Sequence, residues 1–201
     1  MTSPRPDGGP APLLITSFQT WLPHQPSNSS DDLLALLQRQ HQLPPHCHLL
    51  RHLPVEVDRA FALVQAHLDR LQPAYVLCCG MAEGRSHLSL EAQATGPDGS
   101  PILTTPLPLP ALLAHLPHTI LSYDAGRFVC NGLYFRVLDY CAQPSAFPLP
   151  HGQIQALFIH VPVLTAENQT PIAQDLATLI QHLSTLPHAP PPQVSPPQRK
   201  V

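Results

Sequence analysis

Charged residues and long apolar runs are both scarce in this sequence. Asp, Glu, Lys and Arg make up 11% of the chain, and the formal net charge is −3. Nucleic-acid-binding proteins concentrate Lys and Arg on one surface, so this balance excludes an extended phosphate-binding surface. No window approaches the roughly 18 consecutive apolar residues of a membrane-spanning helix. We therefore expect neither a nucleic-acid partner nor a membrane partner.

The sequence also lacks a secretory signal and a disulfide framework. Its start, MTSPRPDGGPAP, has neither the basic nor the apolar region of a signal peptide. The five cysteines are an odd number and include the adjacent Cys78 and Cys79, which favours reduced thiols. These features predict a cytoplasmic protein.

Proline is abundant, with 27 residues in a chain of 201, and it clusters at both ends. Such Pro-rich segments cannot build a packed core, so we expect disordered tails over 1–11 and 187–201. The hydrophobic fraction between them is that of a globular protein, and the length favours one core. We expect a single α/β domain over 12–186.

Apolar runs alternate with helical patterns along that domain. Short apolar runs predict strands in PLLITSF, HLLRHLPVEV, AYVLCCG, TILSYDA and ALFIHVPVL. Helical spacing predicts helices in SNSSDDLLALLQRQ, VDRAFALVQAHLDRLQ, LPALLAHL, FVCNGLYFRVLDYC and PIAQDLATLIQHLSTL. This order predicts a three-layer α/β/α sandwich with a mostly parallel mixed sheet. AYVLCCG is expected mid-sheet, and an irregular or antiparallel excursion is expected around 86–105.

The most informative junction is SYDAGRFVCNGLYF, where a strand ends and a helix begins. If the helix begins near 127–129, Cys130 lies in its first turn. Unpaired backbone N–H groups and the helix dipole would there lower the pKa of the thiol and bind an oxyanion. These are the requirements of acyl transfer by a cysteine. The alternative is a buried structural cysteine.

Two further residues suit a nucleophilic cysteine. His160 follows the apolar run ALFIHVPVL near a strand's carboxyl end, where catalytic side chains are presented. It is a candidate general base, or else a hydrogen-bonded core histidine. Glu91 lies on the polar face of the alternating segment HLSLEAQAT and could orient the imidazole. Its alternative is an exposed strand carboxylate.

Three segments resemble those of the pyroglutamyl-peptidase I family of cysteine peptidases. GMAEGRSHLSLE is similar to the family's Gly-x-Ala-x-Gly-Arg motif, which runs into a catalytic glutamate. SYDAGRFVCN is similar to its nucleophile motif, and FIHVP to its histidine motif. The resemblance implies a catalytic triad of Cys130, His160 and Glu91 that releases N-terminal pyroglutamate from a peptide through a thioester. It implies no metal and no cofactor.

A fourth segment, TSFQTWLPHQPSNSS, resembles the family's pocket-forming region more loosely. Phe18 matches, Ser17 replaces a glycine, and Trp21 stands where a second aromatic belongs. Met81 stands where the family commonly has a glutamine. The resemblance implies that Phe18, Trp21, Met81 and Arg85 bind the substrate.

The departures leave other interpretations open. The stretch between Glu91 and Cys130 is shorter than in the family, which leaves the oligomeric state undecided, a homo-oligomer being one expectation. A divergent cysteine amidohydrolase with a different acyl substrate and a non-catalytic binding protein on the same fold are the alternatives. His46, Cys47 and His48 form a small cluster, but zinc needs further ligands and a solvated surface is the default.

Overall fold

The computed structural model describes residues 12–143 and 152–186. The predicted Pro-rich tails, 1–11 and 187–201, lie outside these residues. Across the described ranges, no helix combines the length and the apolar character needed to cross a membrane.

Strands and helices alternate as the sequence predicts. The strands are β1 (Leu13–Phe18), β2 (Cys47–Leu53), β3 (Tyr75–Met81), β4 (Leu88–Glu91), β5 (Gln93–Thr95), β6 (Ile102–Thr104), β7 (Thr119–Ser122) and β8 (Gln155–Val161). The helices are α1 (Ser29–Arg39), α2 (Val57–Leu71), α3 (Leu109–Leu113), α4 (Val129–Ala142) and α5 (Gln169–Thr185). The Asn28 side chain caps α1 by accepting a hydrogen bond from the Ser30 amide.

Six strands form one mixed sheet in the order β2-β1-β3-β8-β4-β7. All neighbours are parallel except β4 and β8, which run antiparallel. β3 lies inside the sheet as predicted, since nearly all of YVLCCGM is buried and both faces are covered. The antiparallel excursion expected around 86–105 is also confirmed.

Helices cover both faces of this sheet. α1, α3 and α5 pack on one face around Ile15, Leu77 and Ile159. α2 and α4 pack on the other face around Leu14, Cys78 and Phe158. The predicted three-layer α/β/α sandwich with a mostly parallel mixed sheet is therefore confirmed. Because strand side chains alternate, His160 shares the α4 face with Phe158.

Several predicted strand limits are wrong. HLSLEAQAT is not one strand, because the backbone at Ala92 donates to Ser122 O and accepts from Thr105 N, which takes the chain out of the main sheet. The continuation, β5, pairs with β6 in a separate antiparallel hairpin. The strand predicted in HLLRHLPVEV ends at Leu53, since Pro54 cannot donate to a neighbour. The strand predicted in TILSYDA ends at Ser122.

Candidate active site

Cys130 lies in the first turn of α4, where the sequence places it. Phe128 is the N-cap residue, and the first α-helical backbone bond runs from Gly132 N to Phe128 O. The amides before Gly132 therefore have no partner within the helix. Gly126, with a φ of 81°, supplies the left-handed turn between β7 and this helix. The N-terminus of α4 thus presents free donors beside the thiol.

Glu91 and His160 form a buried pair next to this helix. His160 Nδ1 lies 2.7 Å from Glu91 Oε1, and the two residues are 5% and 0% exposed. An ionised carboxylate only accepts hydrogen bonds, so Nδ1 is the donor and Nε2 is left as the acceptor of the neutral ring. The alternative of an exposed strand carboxylate is wrong for Glu91. The register explains its burial, since Glu91 pairs with Phe158 inside the sheet.

Arg85 also contacts this carboxylate. Its Nη2 lies 3.1 Å from Glu91 Oε1 and donates to Asp124 O at 2.7 Å. The guanidinium thus joins β4 to the loop that leads into α4. The Tyr134 hydroxyl donates to the backbone oxygen of Glu91 at 2.9 Å. Arg85 therefore contacts the side chain of Glu91, and Tyr134 binds its backbone.

The electrostatics of Cys130 differ from the sequence-based expectation. Burial raises the pKa of the thiol to about 12, with Cys78 and the Glu91 carboxylate contributing in the same direction. The expected lowering by the helix N-terminus is therefore wrong for this state. The Cys130 backbone N–H acts to lower the pKa of the thiol, but burial outweighs it. Among the described side chains, no hydrogen bond joins Cys130 to His160.

The sheet approaches the thiol very closely at Gly80. A Cβ atom built on Gly80 would lie 2.7 Å from Cys130 Sγ and 2.8 Å from Phe158 Cζ. Phe158 in turn packs against the His160 ring, with centroids 4.9 Å apart. Gly80 therefore leaves the space that the thiol and the Phe158 ring occupy.

Cys130 and His160 line a cavity of about 380 Å³ at this edge. This volume suits a small ligand rather than a long peptide. All four predicted substrate-binding residues line the same cavity: Phe18, Trp21, Met81 and Arg85. Phe18 is buried, whereas Trp21 is 52% exposed and contacts Phe128 with ring centroids 5.4 Å apart. Their role in binding stays a prediction.

Two contacts join the ends of β1 and β3 to α1 beside this cavity. Met81 Sδ accepts a hydrogen bond from the Ser29 amide at 3.3 Å, so its thioether faces the start of α1. Ser17 Oγ donates to Asp31 at 2.7 Å, and Arg51 binds both carboxylate oxygens of Asp31 at 2.8 and 2.7 Å. The serine that replaces the family's glycine therefore anchors the end of β1 to α1 and, through Asp31, to β2.

Comparisons with known proteins extend these observations. No protein-family model matches the chain. It is 27% identical over 201 residues to a pyrrolidone-carboxylate peptidase of Cupriavidus taiwanensis, covering 86% of this chain and 89% of that protein. It is also 27% identical over 139 residues to the enzyme of that name from Brevibacillus brevis, but this match spans 57% of the chain and only 62% of the relative.

A solved structure gives the same result for the fold. The crystal structure of Bacillus amyloliquefaciens pyroglutamyl peptidase I matches with a TM-score of 0.72 and 20% identity, covering 90% of this chain and all of that one. The chain is thus similar in sequence to pyrrolidone-carboxylate peptidases and in fold to pyroglutamyl peptidase I. The resemblance inferred from the three motifs is thereby confirmed.

Three features of the site were not predicted from the sequence. Sequence reasoning assigned Arg85 to the substrate, which stays a prediction, and did not foresee the contact of Arg85 with Glu91. It gave no role to Tyr134, although Tyr134 lies one helical turn after Cys130 and so shares its face. Gly80 belongs to the quoted motif, but its approach to Cys130 depends on helix packing that the motif does not encode.

Of the remaining cysteines, Cys78 lies near enough to Cys130 to raise the pKa of its thiol. Cys78 and Cys79 are fully buried, in agreement with their predicted packing role, and so is most of Cys141. His46, Cys47 and His48 lie at the start of β2, at the opposite end of the strands. Within 12–143 and 152–186, no group of three metal-ligating side chains is placed to hold an ion.

Proposed function

We propose that this chain is a cysteine peptidase that removes N-terminal pyroglutamate from peptides, with Cys130 as nucleophile, His160 as general base and Glu91 as the group that orients the imidazole. One observation carries the proposal most directly. His160, which is paired with the buried Glu91, lines one small cavity together with Cys130, at the N-terminus of α4, where the first amides have no partner within the helix. The names of the relatives supply the substrate class.

The resting thiol is neutral, so proton transfer accompanies attack. The Cys130 proton passes to His160 Nε2 while Sγ bonds to the acyl carbon of pyroglutamate. Free amides at the start of α4 stabilise the oxyanion. The C–N bond then breaks, and His160 gives its proton to the departing amine. Because Glu91 accepts from Nδ1, it stabilises the imidazolium formed in between.

Water completes the cycle. His160 takes a proton from a water molecule, whose oxygen attacks the thioester. The C–S bond breaks, and the proton returns to Sγ. The products are free pyroglutamic acid and the shortened peptide, and the enzyme is regenerated. Every proton moves between groups of this chain, substrate and water, without another reagent.

A fluorogenic pyroglutamyl amide is the direct substrate for a test. Wild-type protein should hydrolyse it, and Cys130→Ala should reduce kcat by at least roughly 10,000-fold, as loss of a nucleophile does in a triad. Cys47→Ala is the matched control, since Cys47 lies at the far end of the strands and outside the cavity. Equal turnover by wild type and Cys130→Ala would refute the nucleophile.

One observation favours a second candidate, a cysteine amidohydrolase with the same triad and a different acyl group. Met81 lines the cavity where the family commonly has glutamine, so the wall offers a thioether in place of an amide. A panel of aminoacyl, formyl, acetyl and pyroglutamyl amides separates the two candidates. Preference for pyroglutamyl by the wild type supports the first, and preference for another acyl group supports the second.

The cellular setting belongs to the same proposal. All five cysteines are free, which supports a reducing compartment and hence the cytoplasm. A single α/β domain over 12–186 is proposed on the sheet and two helical layers described above. A homo-oligomer is also proposed, and sedimentation at several protein concentrations tests it.

A further inference from the structure

The segment after β1 carries Trp21 to the cavity and is tied to the loop after β3. Gln25 lies at the centre of this tie. Its Oε1 accepts hydrogen bonds from the backbone amides of Trp21 and Leu22, both at 3.0 Å. Its Nε2 donates to Glu83 Oε1 at 2.8 Å. One side-chain amide therefore fixes the backbone at Trp21 and the carboxylate across the cleft.

His24 completes this arrangement. Its Nε2 lies 3.0 Å from the same Glu83 oxygen. Both Gln25 and His24 lower the pKa of Glu83, with Gln25 the larger contribution, so the carboxylate stays ionised as their acceptor. We call these three residues, His24, Gln25 and Glu83, the rim network. It joins the segment between β1 and α1 to the loop after β3.

This segment places the side chain of Trp21 at the cavity. The indole stands beside Phe128 at the cavity, although about half of it is exposed to solvent. An aromatic ring with so little packing is not held in place by burial. The contacts from Gln25 fix the backbone that carries the indole, and Phe128 contacts the ring itself.

We propose that Glu83 is a positioning residue, which acts through Gln25 and His24 to hold Trp21 as the wall of the acyl-binding cavity. This inference rests on the function proposed above. Glu83 does not line the cavity, and its contacts run to the segment that does. Its substitution should therefore change substrate affinity and leave the chemical step unchanged.

Backbone hydrogen bonds hold the turn around Glu83 independently of the Glu83 side chain. Ala82 N donates to Val161 O at 2.9 Å, and Arg85 N donates to Ala82 O at 3.1 Å. These bonds hold the turn that carries Arg85 without help from the Glu83 side chain. Glu83→Ala should consequently release Trp21 while Arg85 keeps its contact with Glu91.

The first test needs no substrate, because Trp21 is the only tryptophan of the chain. Time-resolved fluorescence anisotropy of the full-length protein reports its local motion. Glu83→Ala and Gln25→Ala should both increase the amplitude of the fast depolarising component. Glu83→Gln, which keeps an acceptor for Gln25, should restore most of the wild-type value. Asp139→Ala, which removes an exposed carboxylate from α4, is the control. Unchanged anisotropy in Glu83→Ala would overturn the proposal.

The second test separates KM from kcat with a pyroglutamyl amide. Glu83→Ala should raise KM about threefold to tenfold, the range expected for loss of one or two hydrogen bonds, at unchanged kcat. In a Trp21→Ala background the same change should raise KM no further, since Glu83 acts through Trp21. An equal increase in both backgrounds would mean that Glu83 acts on the substrate directly, and the proposal would fail. A wild type without turnover refutes the proposed function, and the anisotropy then decides this inference alone.

Discussion

Gly80 and Cys130 approach each other so closely that a Cβ atom at position 80 would lie 2.7 Å from Sγ. The same atom would lie 2.8 Å from the ring of Phe158, which is fully buried and packs against His160. A side chain at position 80 would therefore displace the thiol and the ring that supports the imidazole together. The positions of the Cys130 thiol and of the Phe158 ring against His160 therefore both require glycine at position 80.

Gly80→Ala should lower kcat strongly and destabilise the fold by about 1–3 kcal/mol, the usual cost of overpacking a core. Denaturant unfolding and steady-state kinetics measure the two effects. Gly84→Ala is the matched control for stability, because a Cβ atom there meets nothing within 4 Å. Its free energy of unfolding should stay within about 0.5 kcal/mol of wild type. Equal behaviour of the two variants would contradict the close approach.

Glu91→Gln should reduce kcat by roughly 100- to 10,000-fold, less than Cys130→Ala. The amide can donate to Nδ1 as well as accept from it, so the imidazole tautomer is no longer fixed. The amide also cannot stabilise the imidazolium by charge. Kinetics with a pyroglutamyl amide measure the loss, and a kcat like that of the wild type would remove Glu91 from the mechanism.

Alkylation of Cys130 in the free protein should accelerate steadily with pH. Because the pKa of the thiol is raised to about 12, the thiolate fraction grows about tenfold per pH unit between about pH 7 and about pH 9. Iodoacetamide rates followed by peptide mass spectrometry measure this slope. Cys47, whose pKa is also raised to about 12 by burial, should show the same slope and serves as an internal reference. A plateau near neutral pH would instead indicate a preformed thiolate–imidazolium pair.

Asp31 should contribute to acid sensitivity of the fold. Burial acts to raise its pKa, but hydrogen bonds from Arg51 and Ser17 outweigh it, and the net pKa lies below 3.8. A carboxyl group with a lowered folded-state pKa stabilises the protein above its unfolded-state pKa, and this contribution is lost as the pH falls through the folded-state value. Asp31→Asn should therefore reduce the decline in unfolding free energy below about pH 4.

Thermal or denaturant unfolding at several pH values measures that decline. Asp139→Asn, on the exposed face of α4, controls for the change in net charge. If the pH dependence of Asp31→Asn matched that of the wild type, the carboxylate would not be the acid-sensitive group.

The alternation of apolar runs and helical spacing was sufficient to predict the layers of the fold. The position of Cys130 in the first turn of a helix was also predicted, because a strand-to-helix junction is a local property of the sequence. These sequence patterns also placed Glu91 on the face opposite Leu88 and Leu90, since strand side chains alternate. They could not predict its burial, which arises because β4 lies between β8, to which it is antiparallel, and β7, to which it is parallel. The raised pKa of Cys130 is likewise non-local, because it depends on the depth at which α4 meets β3.

The sheet order has a consequence for biosynthesis. β8, at residues 155–161, separates β3 from β4 and leaves the ribosome after the other strands of this sheet. Until it emerges, two apolar strands of the sheet have open edges of the kind that promotes aggregation. Glu91 also lies 69 residues before its partner His160 in the chain, so the pair cannot form until β8 has been synthesised. A nascent chain that stalls before β8 is therefore both inactive and at its most vulnerable to misassembly.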